Sequence, residues 1–304
     1  MSEDTHDPWR HRFVAANGAR FHVAEAGHGP LVLFLHGFPE FWWAWRHQLQ
    51  PVADAGHRAV AMDLRGYGQS DKTPRGYDPL TLASDVSGVI RSLGSRDAVL
   101  VGHGWGGYVA WATAASRPHE VRALCCVGAP HPAVLLRPPF GALTRAALAH
   151  VLPRQVPWLP ERRIMRGDYI ARHLVAWSAP ESRFPSSPEV ARYREALSRW
   201  PSPHCALEYH RWLVRSRLRR DGRAFAAALR HSIGVPVLQV NGAGDRAVRR
   251  SAVAASARHV DAAHEDVVIS GAGHFPHEES PEAFTDALLS WLSDGARTGA
   301  HAVA

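Results

Sequence analysis

Residues 98–107 read Ala98-Val99-Leu100-Val101-Gly102-His103-Gly104-Trp105-Gly106-Gly107. An apolar run of strand length enters a glycine-rich turn, and helical periodicity follows over Tyr108–Ser116. Glycines two residues either side of a central position allow a turn tight enough to lift the central side chain above a sheet. Here the central residue is Gly104, which has nothing to lift. Gly102, Gly104 and Gly107 also match a dinucleotide-binding spacing. The acid that such a site needs about 20 residues on is missing, because the next strand carries Cys125-Cys126.

Outward from this turn the chain alternates short strands with helices. Strands are expected at Arg12–Ala16, Arg20–Ala26, Leu31–Leu35, His57–Met62, Ala98–Gly102 and Val121–Val127, with helices at Trp45–Ala55, Thr81–Leu93 and Tyr108–Ser116. Such alternation implies βαβ units, hence a mostly parallel sheet flanked by helices. After Pro130-His131-Pro132 the text turns proline- and arginine-rich, with helical segments and no strand, until Val235–Val240 and Asp266–Ile269 resume the sheet. The reading is therefore one α/β core, residues 1–132 and 222–304, with a helical cap inserted at 133–221. A final helix starts at Pro281, a good first position, and runs to about Leu292, leaving a frayed tail from Asp294.

Bulk properties exclude several classes. The acidic, polar start Met1–Asp7 is unlike a secretory signal, and no apolar run approaches the roughly 20 residues of a membrane span. Three cysteines, Cys125, Cys126 and Cys205, are too few for a disulfide framework, which fits a reduced, cytoplasmic setting. The net charge of +7 is almost wholly arginine, Lys72 being the single lysine. Its densest cluster, Arg215, Arg217, Arg219, Arg220 and Arg223, lacks interleaved aromatics and reads as a solvated helix face, not a nucleic-acid surface. Among the 20 histidines no metal spacing such as H-E-x-x-H occurs, so neither metal nor cofactor is expected.

Four other loops follow strands: His36-Gly37-Phe38-Pro39-Glu40, Asp63-Leu64-Arg65-Gly66-Tyr67-Gly68-Gln69-Ser70-Asp71, Asn241-Gly242-Ala243-Gly244-Asp245 and Gly271-Ala272-Gly273-His274-Phe275-Pro276. With the tryptophan-rich Phe41–Arg46 and the 102–107 turn, the chain resembles the epoxide hydrolase branch of the α/β-hydrolases, with haloalkane dehalogenases close by. The turn, then acid, then histidine follow the chain order of that fold. The resemblance, over about residues 10–293, implies that Asp245 orients His274 as base and that the Phe38 and Trp105 backbone N–H groups form an oxyanion hole. It also implies that Trp105 lines the pocket, and that a tyrosine of the cap donates a proton as an epoxide opens. Tyr209 or His210 matches that position, and Trp158 or Trp177 is placed on the pocket wall in place of a second tyrosine. His36, His103, His131 and His277 are read as structural.

The family carries an aspartate nucleophile where this chain has Gly104. Glycine accepts the strained backbone of that position, so the turn survives while covalent catalysis does not. Three functions follow as expectations. The chain is an enzyme using His274 and Asp245 as a noncovalent general base on a small apolar or aromatic molecule; or it is a silent ligand-binding relative; or it is a glycine-substituted form of an ordinary epoxide hydrolase.

Overall fold

The computed structural model describes residues 8–137 and 143–299, apart from the side chains at 217 and 295–299. The expectations for Met1–Asp7, for the Arg217 side chain and for the tail beyond Gly299 fall outside these residues.

Eight strands form one sheet: β1 (Arg10–Ala16), β2 (Ala19–Ala26), β3 (Leu31–Leu35), β4 (Arg58–Met62), β5 (Ala98–His103), β6 (Val121–Val127), β7 (Val237–Gly242) and β8 (His264–Ile269). Their spatial order is β1-β2-β4-β3-β5-β6-β7-β8. β1, β2 and β4 pair antiparallel, and every later pair is parallel. Every residue of β3, β5 and β7 is buried, as central strands covered on both faces must be, while β1 at the edge alternates in burial.

Helices α1 (Arg46–Asp54), α2 (Pro79–Ser92) and α3 (Trp105–Ser116) connect the first strands. Asp78 caps α2 by accepting from the Thr81 N–H at 3.0 Å, with Pro79 at the first position. α3 starts three residues earlier than the expected Tyr108, because Gly106 and Gly107 are used for close packing. A Cβ on Gly106 would lie 2.0 Å from the Leu35 carbonyl oxygen, and one on Gly107 2.5 Å from the Ala129 Cβ. Trp45, expected to begin a helix, ends a 3₁₀ turn over Trp42–Trp45, whose entry is pinned by the Trp42 N–H donating to Asp63.

Among the described residues, seven α-helices lie between β6 and β7: α4 (Pro132–Leu135), α5 (Arg145–Val151), α6 (Leu159–Met165), α7 (Tyr169–Trp177), α8 (Ser187–Ser198), α9 (Ser202–Arg215) and α10 (Arg220–Ala228). Residue 222, expected to begin the returning core, is the third residue of α10. Gly222 gives no break there because it is packed: a Cβ would meet the Ser216 carbonyl at 1.9 Å. Helices α11 (Arg250–Ser256), α12 (Pro276–Glu279) and α13 (Pro281–Gly299) complete the chain, α13 outrunning the expected end at Leu292.

The glycines of the turn therefore differ in kind. Gly104 has a φ of +50°, yet a Cβ placed on it finds nothing closer than 3.8 Å. Gly104→Ala should cost only backbone strain of about 1–3 kcal/mol, whereas Gly106→Ala must push α3 off β3. Thermal unfolding should show the second variant losing distinctly more stability than the first; equal losses would contradict the packing described.

Candidate active site

The ends of β3, β5, β7 and β8 converge on one point. Gly104 follows β5 and forms the N-cap of α3, its N–H donating to the Val127 carbonyl at 2.9 Å. The loop after β7 carries Asp245, and the loop after β8 carries His274. His274 Nδ1 lies 3.0 Å from Asp245 Oδ2, and the other Asp245 oxygen accepts from the Ala247 N–H at 2.7 Å. This leaves Nε2 facing Gly104, 3.8 Å from where a Cβ would stand. Burial pulls the His274 pKa down, but the charge and hydrogen bond of Asp245, with Glu40 and Glu279 further off, outweigh it and raise the value above 6.5.

Phe38 and Trp105 line the same cavity as Gly104 and His274, and neither main-chain N–H has a hydrogen-bond partner among the described residues. For Trp105 this follows from its place at the first position of α3, where no intrahelical acceptor exists.

A cavity of about 110 Å³ opens above Gly104. Its size is near that of the apolar cavities of about 150 Å³ known to admit one benzene ring. Its wall is mainly apolar, with Leu135, Val151, Leu213 and Val248 on one side and His150, His173, His210 and Trp177 on the other. Burial, reinforced by the nearby Arg154 guanidinium, holds these three imidazoles well below their usual range, so they are neutral. The described lining contains no carboxylate, thiol or aliphatic hydroxyl; it has one phenol, Tyr108, whose pKa burial holds well above the usual range.

The description of the alpha/beta hydrolase fold family matches residues 30–281. The AB hydrolase superfamily protein YfhM of Bacillus subtilis (strain 168) is 33% identical over 293 residues, covering 93% of this chain and 98% of that one. Epoxide hydrolase A of Mycobacterium tuberculosis is 30% identical, covering 93% and 97%. The chain belongs to the α/β-hydrolases, in their epoxide hydrolase-like branch. Among solved structures, an epoxide hydrolase from Vigna radiata superposes on this α/β-hydrolase with a TM-score of 0.81 at 29% identity, covering 94% of this chain and 98% of that one.

The residues singled out in the sequence separate in space. Gly104, Phe38, Trp105, Trp177, His210 and His274 line the cavity, and Asp245 stands behind His274. Tyr209 does not line it: one residue along α9 turns the side chain about 100° away, and its hydroxyl donates to the Arg65 carbonyl at 2.8 Å. Trp158, expected on the wall, is 70% exposed, since it caps α6 from a left-handed backbone that turns it to solvent. His210 cannot offer a proton as it stands. Its Nδ1 donates to the Ala206 carbonyl at 3.1 Å, and Nε2 accepts from Trp105 Nε1 at 3.2 Å.

Two carboxylates escaped the sequence reading. Glu40 accepts from the Gly37 N–H and His103 Nδ1, both at 2.8 Å, and from His277 Nε2 at 3.1 Å. These groups could surround a cation, but they already satisfy one another by hydrogen bonds. Glu279 accepts from the Gly273, Phe275 and Ala179 N–H groups at 2.7–2.9 Å. The only signal was two acids lying close to loop glycines, which is too common to select.

Two measurements check this geometry. A titration of the His274 ring by NMR should have its midpoint above 6.5, falling in Asp245→Asn; neutral imidazole is then the form above that midpoint. Glu279→Ala strands backbone donors and should lower stability by about 2–3 kcal/mol in denaturant unfolding.

Proposed function

We propose that this protein is an epoxide hydrolase-like catalyst that works without a covalent intermediate. Gly104 stands at the nucleophile position, and the helices between β6 and β7 form the cap over a small apolar or aromatic substrate. The observation that carries the reading is the 3.8 Å between His274 Nε2 and the vacant Cβ position of Gly104, on a described lining with no carboxylate, thiol or aliphatic hydroxyl and one phenol, Tyr108, that burial keeps protonated. A water in that space would sit against the base and beside the Phe38 and Trp105 N–H groups.

His274, oriented by Asp245, takes a proton from this water as its oxygen bonds to the substrate carbon. The ring C–O bond breaks, the opened oxygen takes a proton from solvent, and the imidazolium of His274 returns its proton to solvent. Asp245 fixes the tautomer that leaves Nε2 free and stabilises the imidazolium that forms. The two N–H groups position the water oxygen in line behind the breaking bond. His210 takes a lining role here, because both its nitrogens are engaged. No metal or organic cofactor enters this scheme. The buried free thiols Cys125, Cys126 and Cys205 favour a cytoplasmic location.

The test compares the protein with Gly104→Asp and His274→Ala on styrene oxide and related aryl epoxides. The expected result is slow hydrolysis by the unaltered protein with no mass adduct, falling about 10²–10⁴-fold in His274→Ala, the range of a lost general base. Gly104→Asp combined with His274→Ala should trap an ester visible by mass spectrometry. Activity confined to Gly104→Asp would overturn the noncovalent mechanism and make the natural protein a ligand binder.

A further inference from the structure

A second cavity, an open cleft of about 840 Å³, shares His150, His173 and Trp177 with the catalytic cavity. These residues form the partition between the two. Arg162, Arg163, Arg166 and Arg172 line the cleft, against a single acid, Asp168. Asp168 is 3.1 Å from Arg172, and no ion pair of the other three is present among the described residues. Basic residues at the end of α6 complement its dipole. That accounts for Arg162 and Arg163, but not for four guanidinium groups converging on one cleft.

A buried cation lies at the junction. Arg154 is 3% exposed; its Nη2 donates to the hydroxyl of Tyr169, which lines the cleft. Its guanidinium stands 4.7 Å over the ring of Phe38, which lines the catalytic cavity. Its Nε and Nη1 have no hydrogen-bond partner, and no carboxylate is within salt-bridge distance among the described residues. Burial lowers its pKa to about 10, so it remains charged at neutral pH. A desolvated guanidinium without a counter-ion is costly unless something negative approaches it.

We propose that this cleft is the approach to the catalytic cavity and that it selects acids: apolar or aromatic molecules carrying a carboxylate. The inference rests on the catalytic reading only for the chemistry that follows binding. The apolar wall above Gly104 takes the hydrocarbon part, and the arginines attract and hold the carboxylate at the cleft. The exposed guanidinium groups steer the anion over a range set by screening, so selection weakens with salt.

The probes are 3-phenylpropanoate and its uncharged amide, their binding to the full chain followed by calorimetry at low and high salt. Several screened contacts of modest strength predict a preference for the acid of about tenfold at low ionic strength. It should shrink at high salt and in the Arg163→Gln/Arg166→Gln variant, whose exposed positions leave folding undisturbed. Equal or tighter binding of the amide, or a preference untouched by losing both arginines, overturns the proposal. So does capture of the protein by phosphatidylglycerol vesicles with no affinity for the free acid, which would make the arginines a membrane-facing patch. Turnover of styrene oxide is assayed separately. Charge-selective binding without turnover would sink the catalytic reading and leave this one standing.

Discussion

Glu40 is a carboxylate with no contact to solvent, and such a group is tolerated only where donors replace its water. The donors come from three separate segments: Gly37 in the loop after β3, His103 at the end of β5, and His277 in α12. The His103 ring then reaches the His274 carbonyl at 2.9 Å. One ion thus gathers the strand ends that must meet if base, turn and backbone donors are to share a substrate. Burial would raise the Glu40 pKa, but His103 and His277 overcome this and hold it well below the ordinary carboxylate range. The network keeps its charge across neutral pH.

The backbone at Gly104 is left-handed, His274 and Asp245 are paired beside it, and a side chain would have room there. On the proposed reading this is the space of an attacking group, kept open with Gly37 and His274 both at contact distance from a Cβ. Their positions are fixed by Glu40 and Glu279, not by packing against residue 104.

The sheet, its interruption and the loops carrying Asp245 and His274 could be read from periodicity and turn residues, because these are local signals. Errors arose where tertiary packing decided. Helix α3 begins early because Gly106 and Gly107 serve contact with β3 and the loop after β6, which a helix-propensity reading takes as breakers. Adjacent Tyr209 and His210 could not be told apart in sequence; the phase of α9 separates them by a buried hydrogen bond to Arg65. Trp158 and Trp177 were alternatives for the place of a second cap tyrosine, and the positive φ of Trp158 sends it outward.

The inserted helices are tethered to the catalytic loop by main-chain bonds. The His274 N–H donates to the Trp177 carbonyl at 2.9 Å, and Glu279 binds Ala179 and Gly273 together. Swinging the end of α7 away would therefore release the loop that holds the imidazole. On the proposed route through the arginine-lined cleft, molecules would come and go sideways, by side-chain rotation at the partition, with the roof left in place.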